Sequence, residues 1–183
     1  MSKILFLTPV GTAKWPHLVK ADTTGKYADG KWKTGLIMTP EEAKPLVALI
    51  DKLASTHKHK SPQLPYKKEV TKEGKETGNI QFTLKSKFAP AIFDVKNHKV
   101  DVKRLDGDFS IGAGSRLKIA GEVFEYEKGL SLQMQQVQVI ELQSGSVSMF
   151  GEEEGTFDGS EFETEEPQED SSFSELKGDS LNI

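Results

Sequence analysis

Hydrophobic positions in the N-terminal part of the chain follow the two-residue period of β-strands. Residues 3–20 predict one or two strands, interrupted at Pro9 and Pro16 because proline cannot donate to a ladder of hydrogen bonds. The next alternating segment, residues 31–38, follows Asp29-Gly30, a pair that is typical of hairpin turns. Two or three strands are therefore predicted before residue 39.

A single helix is predicted after these strands. Thr39-Pro40-Glu41-Glu42 forms a capping box with proline at the first helical position, where its missing N–H costs nothing. Apolar residues then recur at helical spacing as far as Ala54, which predicts one buried face and an end near Ser55. Pro45 is close enough to the start to bend the first turns without breaking the helix.

More strands are predicted in the second half of the chain. Residues 56–78 are basic and show almost no periodicity, so they predict a mobile loop. Alternation resumes after this segment, and the two longest alternating runs are joined tightly at Lys128-Gly129. The predicted strands cover residues 80–88, 90–95, 115–127 and 130–142, and residues 96–114 are predicted as loop.

The last predicted strand changes the face on which its apolar residues lie. The apolar residues up to Met134 lie on one face of the strand, and those from Val137 onward lie on the other face. This change predicts a β-bulge near Gln135. Bulges of this kind curl a sheet into a barrel. About five long strands with one helix suit a mainly β fold, an OB-fold-like five-stranded antiparallel barrel, with a β-sandwich as the alternative.

Charge divides the chain into two regions. Residues 1–150 carry 23 Lys and Arg against 16 Asp and Glu, a net charge of +7, whereas residues 151–183 carry Lys177 against 12 acids, a net charge of −11. Glu, Asp, Ser and Gly dominate this second region, which cannot bury enough apolar area to fold. We predict an OB-fold-like nucleic-acid-binding body over residues 1–146 and a disordered acidic tail over residues 147–183.

The composition argues against several kinds of site. The absence of cysteine excludes disulfides, thiolate zinc sites and cysteine nucleophiles. His57 and His59 have no acidic or cysteine partner nearby, and no phosphate-binding loop is found, so no metal, cofactor or catalytic residue is predicted. The apolar run from Ile4 to Leu7 is too short for a signal peptide and no stretch approaches a membrane span, so we expect a cytoplasmic protein.

Lysines and aromatic residues occur together in the same predicted strands, although Phe82, Phe88, Phe93 and Phe124 are assigned to the core. Cationic grooves for phosphates and flat side chains for base stacking are the features that bind single-stranded nucleic acid. Lysine outnumbers arginine by 22 to 2, which favours phosphate contact over bidentate base recognition. The candidate nucleic-acid-binding residues are Tyr27, Lys31, Trp32, Lys33, Tyr66, Lys67, Lys68, Lys85, Lys87, Lys118 and Tyr126.

The acidic tail suggests two roles. It can occupy the basic groove of its own body and compete with nucleic acid in a salt-dependent manner. Its apolar residues also suit docking on basic, hydrophobic pockets of partner proteins, and these candidate residues are Phe157, Phe162, Phe173 and Ile183. The alternatives left open are a structural or scaffolding interaction protein whose tail is the partner motif, and an RNA-binding module.

Several segments in combination resemble bacteriophage single-stranded DNA-binding proteins. They are TTGKYADGKWKTGLIM and the helix TPEEAKPLVALIDKLA, the run from Phe88 to Asp94, the loop from Ile111 to Ser115, and the closing VQVIEL. The resemblance covers most of residues 1–143 and, with the acidic tail, implies an OB-fold that protects DNA during phage replication, recombination and repair in the bacterial host. It also implies a tail that contacts the phage DNA polymerase or helicase/primase, and it leaves a homodimer open. Tails of this family can end in an aromatic residue, whereas the last residue here is Ile183.

Overall fold

The computed structural model describes residues 3–102 and 110–143. The predicted boundary between residues 146 and 147 lies outside these ranges, as does the whole of the predicted tail. Both therefore stay predictions.

The described residues form nine strands and one helix. The helix, α1, spans Pro40–Ser55 and lies between the third and fourth strands. The strands are β1 (Ile4–Leu7), β2 (Gly11–His17), β3 (Trp32–Met38), β4 (Tyr66–Val70), β5 (Glu76–Ser86), β6 (Ala91–Phe93), β7 (Lys99–Val100), β8 (Arg116–Tyr126) and β9 (Gly129–Glu141). No helix in the described part of the chain is long and apolar enough to cross a membrane.

Five of these strands close into a barrel. β2 pairs with β3, β3 with β5, β5 with β9, β9 with β8, and β8 again with β2. All of these pairs are antiparallel except β5 and β9, which run parallel at Leu84↔Leu132. A closed ring with an odd number of strands cannot alternate direction all the way round, so one parallel pair is unavoidable. The predicted mainly β barrel with one helix is confirmed, and the sandwich is excluded.

The bulge in β9 lies where the change of phase predicts it. Ala120 of β8 pairs with Gln136 and Gly121 pairs with Met134, which leaves Gln135 without a residue opposite. A side chain at residue 121 would collide with the backbone of Gln133, so glycine is required where the two strands approach. The bulge turns the second half of β9 so that both halves bury apolar side chains in one core.

The helix begins and ends as predicted. The Oγ1 atom of Thr39 accepts the N–H of Glu42 at 3.3 Å, and the Glu42 carboxylate accepts the N–H of Thr39 at 3.1 Å. Ala43, Leu46 and Ile50 are buried in the core on the inner face of the helix. Helical spacing of apolar residues therefore predicts correctly which face packs on the barrel.

The predicted loop at residues 56–78 is wrong in part, because Tyr66–Val70 forms β4. This strand pairs with β5, with Lys67 opposite Gln81, and Gly74 (φ 81°) lies in the turn between the two strands. A short strand at the edge of a sheet takes its stability from backbone pairing, which an apolar pattern does not reveal. Similarly, the predicted loop at residues 96–114 contains β7, which pairs with β6.

The predicted hairpin turn at Asp29-Gly30 belongs to a longer connection. β2 ends at His17 and β3 begins at Trp32. Gly30 adopts φ 69° and donates its N–H to the carbonyl of Asp22 at 2.8 Å. Asp22 and Asp29 of this connection lie close to Lys33 of β3, with their carboxylates 2.6 Å and 3.4 Å from its Nζ atom.

Candidate nucleic-acid interface

The outer face of β2, β3 and β5 carries a groove with a volume of about 540 Å³, which we call the aromatic groove. Alternation along each strand turns one residue into the core and the next into this groove. Leu36 and Phe82, for example, are buried, whereas their neighbours Gly35 and Gln81 line the groove. Its other lining residues include Lys14, Trp15, Tyr27, Lys33, Lys67 and Thr83.

A second groove, with a volume of about 500 Å³, adjoins the first and is called the lysine groove. Thr83 of β5 lines both grooves, so they form one continuous face across the barrel. The hydroxyl of Tyr126 donates to the Oε1 atom of Gln63 at 2.9 Å and fixes that ring at the edge of the groove. The lining residues include Lys31, Gln63, Lys85, Lys87, Phe124, Tyr126 and Gln133.

Seven of the eleven predicted binding residues lie in these two grooves. Tyr27, Lys33 and Lys67 line the aromatic groove, and Lys31, Lys85, Lys87 and Tyr126 line the lysine groove. They come from four strands and two connections of the chain. The structure therefore brings most of the predicted set together on one face.

The two other predicted aromatic residues lie on the core side. Trp32 packs against the hydrophobic core, and its Nε1 atom is buried with no hydrogen-bond partner in the described residues. Tyr66 packs its ring on Phe82, with ring centroids 5.9 Å apart, and donates its hydroxyl to Asp51 of α1 at 2.6 Å. The period of β3 explains the position of Trp32, because it shares a face with Leu36. Both residues are half-buried, and neither lines the two grooves.

Lys68 and Lys118 lie away from the grooves. Lys68 is next to Lys67 on β4 and so projects from the opposite face, where its Nζ atom lies 3.5 Å from the carboxylate of Glu76. Lys118 lines a separate cavity of about 240 Å³ with Leu7 and Phe93. Adjacent lysines on a strand lie on opposite faces of the sheet. The number of lysines in a segment therefore does not show how many of them line a groove.

Carboxylates of the connection between β2 and β3 neutralise part of the charge in the grooves. The Nζ atom of Lys33 lies 2.6 Å from Asp22 and 3.4 Å from Asp29, and that of Lys85 lies 3.9 Å from Asp29. The hydrogen bond to Asp22 is the main reason that the pKa of Lys33 is raised. Burial alone would raise the pKa of Asp29, but the N–H of Lys31 and the ammonium groups of Lys33 and Lys85 outweigh it and lower that pKa.

Two aromatic residues of this face are not among the binding residues predicted from the sequence. Trp15 lies in the aromatic groove with 64% of its surface exposed, and Phe124, assigned to the core, lines the lysine groove at 47% exposure. Phe88, also assigned to the core, is 79% exposed but lines neither groove. The Trp-Pro pair inside an alternating strand was the only signal for Trp15.

Both ring nitrogens of His57 make hydrogen bonds within the protein. Its Nε2 atom lies 2.8 Å from the carbonyl of Tyr126, and its Nδ1 atom accepts the N–H of His59 at 2.9 Å. The first contact is therefore a donation from Nε2–H, which joins the chain after α1 to the end of β8. Within residues 3–102 and 110–143, no three histidine or acidic side chains form a group that could hold a metal ion.

Comparison with known proteins identifies similar folds. No family model and no curated protein matches the sequence. The crystal structure of gp2.5, a single-stranded DNA-binding protein encoded by bacteriophage T7, matches with a TM-score of 0.58 and 20% identity over 91% of this chain and 97% of that chain. The single-stranded DNA-binding protein from bacteriophage Enc34 matches with a TM-score of 0.57 and 16% identity over 86% and 89% of the two chains.

The Enc34 protein has also been solved in complex with single-stranded DNA. That structure matches with a TM-score of 0.55 and 14% identity over 80% of this chain and 89% of that chain. At these identities the likeness establishes the fold. The fold that the sequence resemblance implies is confirmed.

Proposed function

We propose that the protein is a non-catalytic, sequence-independent single-stranded DNA-binding protein that acts in phage DNA replication, recombination and repair. The observation that carries the proposal is the continuous face formed by the aromatic and lysine grooves, which are lined by both exposed aromatic side chains and lysines. The similar fold of two phage single-stranded DNA-binding proteins supports it.

The chemistry of the face suits a single strand better than a duplex. Trp15, Tyr27 and Phe124 present exposed rings, and a ring can stack only on a base whose face is free. In a duplex the base faces are covered by their neighbours, so the rings would gain nothing. Each stacked base contributes about 1–3 kcal/mol.

The cations of the face favour binding without sequence preference. In residues 3–102 and 110–143, lysines line both grooves and no arginine does. Lysine contacts phosphate as a point charge, whereas base-specific contacts commonly use the planar fork of arginine. Arg116 instead donates to Thr12 Oγ1 at 2.9 Å.

The tail completes the proposed function. A segment of net charge −11 attached to a body of net charge +7 competes with DNA for the same lysines at low salt. Its phenylalanines Phe157, Phe162 and Phe173 are the proposed contacts for a partner of the phage replication machinery, such as a polymerase or helicase/primase.

Fluorescence anisotropy with labelled oligonucleotides of one length tests the proposal. Single-stranded DNA should bind more tightly than duplex DNA, and log K should fall by roughly 0.7 per neutralised phosphate as log salt rises. Equal affinity for duplex DNA would contradict the proposal. Tighter binding of RNA than of DNA would favour the RNA-binding alternative.

A further inference from the structure

Trp15 holds a backbone conformation that is unfavourable for a large side chain. Its φ angle is 48°, in the left-handed region, at the place where the pairing of β2 with β3 shifts register between Lys14 and His17. Pro16 follows and removes an N–H donor from the same stretch. Such conformations persist where the surrounding structure determines them, and they concentrate at functional sites.

The unusual backbone is accompanied by an indole ring that lies over the aromatic groove instead of in the core. The ring is 64% exposed, although a tryptophan at a regular strand position would gain most from burial. The Nζ atom of Lys14 lies 4.5 Å from the ring centroid and so covers one face of the indole. Lys14 is itself held by the Oε1 atom of Gln81 at 3.4 Å and the carbonyl of Val70 at 3.5 Å.

The rest of the groove fits a flat, polar-edged ligand. Tyr27, 81% exposed, lines the same groove as Trp15. Glycine at residue 35 lets the backbone of Lys14 and the Gln81 side chain approach β3 closely, because a Cβ atom there would lie only 3.2 Å from the carbonyl of Lys14 and 3.3 Å from the Gln81 side chain. Gln81, only 5% exposed, and Thr83 offer groups that can both donate and accept hydrogen bonds.

We propose that Trp15 is the principal base-stacking platform of the protein and that the aromatic groove takes one nucleobase against its open face. The side chains of Gln81 and Thr83 then meet the edge of that base, and because both can donate and accept, all four bases are tolerated. This inference rests on the proposed function and names the residue on which affinity depends.

Two substitutions in the full chain separate stacking from charge. Trp15→Ala should weaken binding of a labelled oligothymidine roughly 5- to 150-fold, the loss expected for one stacked base. The slope of log K against log salt should not change, because no phosphate contact is removed. Phe88→Ala is the matched control, since it removes an even more exposed ring that lies outside both grooves, and it should bind as the unaltered chain does.

Stability and fluorescence give independent readouts. Trp15→Gly should also lose affinity while keeping or raising the melting temperature, because glycine adopts φ 48° without strain. Trp15 is one of two tryptophans and the other, Trp32, packs against the core, so DNA should quench the fluorescence of Trp15. Trp15→Phe should retain most of the binding and lose the quenching.

The outcomes distinguish this inference from the proposed function. Folded Trp15→Ala and Trp15→Gly variants that bind single-stranded DNA as tightly as the unaltered chain would overturn the stacking role and leave the function standing. Quenching that persists in Trp15→Phe would overturn it as well. Absence of single-strand preference in the unaltered chain would defeat the proposed function itself.

Discussion

Within the two grooves, aspartate side chains partly neutralise the charge of two lysines. Lys33 contacts both Asp22 and Asp29, and Asp29 also lies near Lys85, so two of the lysines that line the grooves have carboxylate counterions within the protein. A phosphate that binds either lysine must compete with these carboxylates. The connection between β2 and β3 therefore lowers the affinity of the face for any anion.

Replacing Asp29 with Asn should raise the affinity for single-stranded DNA. The amide oxygen can still accept the N–H of Lys31, now 3.1 Å from the carboxylate, while the charge opposite Lys33 and Lys85 is lost. We expect a gain of about 2- to 5-fold at low salt, in keeping with the strength of an exposed ion pair, and a smaller gain at high salt. Anisotropy titrations at several salt concentrations measure it.

Glu41→Gln on the helix changes the net charge equally and is the control. If both variants gain the same affinity, the effect comes from overall charge and the competition within the grooves is refuted.

Secondary-structure elements differ in how far the sequence predicts them. The capping box and apolar stripe of α1 and the phase change in β9 are local patterns, and both predictions are confirmed. β4 depends on pairing with β5, which no local pattern shows. The exposure of Trp15 depends on an irregular turn of β2, whereas strand period alone placed most of the groove lysines on one face.

Tyr66 joins β4 to α1, so its hydroxyl should contribute to folding and not to DNA binding. Tyr66→Phe removes the hydrogen bond to Asp51 and should lower the free energy of unfolding by about 0.5–1.5 kcal/mol at pH 7. Urea denaturation measures this change. The affinity for single-stranded DNA should stay the same because the ring packs on Phe82, on the core side of the strand.

Tyr66→Phe should also change how stability depends on pH in the alkaline range. Burial, followed by the hydrogen bond and charge of Asp51, raises the pKa of Tyr66 to about 12 from its ordinary value of 10.0. The folded state thus favours the neutral phenol, and this stabilisation is complete below pH 10 and is lost as the pH rises towards 12. Tyr66→Phe should lose less stability over this interval. An equal alkaline decline in both proteins would refute the assignment.

At the scale of the whole molecule, the balance between body and tail should set the affinity for DNA. Truncation after Phe150 removes 12 acids and Lys177 and changes the net charge from −4 to +7. The truncated protein should bind single-stranded DNA more tightly at low salt, and the difference should shrink as salt screens both competitors. Its melting temperature should not change, because the predicted tail contributes no core. Unchanged affinity at low salt would contradict competition by the tail.

The central claim is that single-stranded DNA follows the face formed by the two grooves, and the salt dependence of two double variants tests it most directly. Lys67→Ala with Lys85→Ala removes one cation from each groove, whereas Lys68→Ala with Lys118→Ala removes the same charge from lysines that line neither. The groove pair should bind more weakly, with a slope of log K against log salt reduced by about 1.4, twice the roughly 0.7 expected per phosphate contact. The other pair should keep the slope of the unaltered chain. Equal losses of affinity and slope in the two variants would show that the DNA does not follow this face.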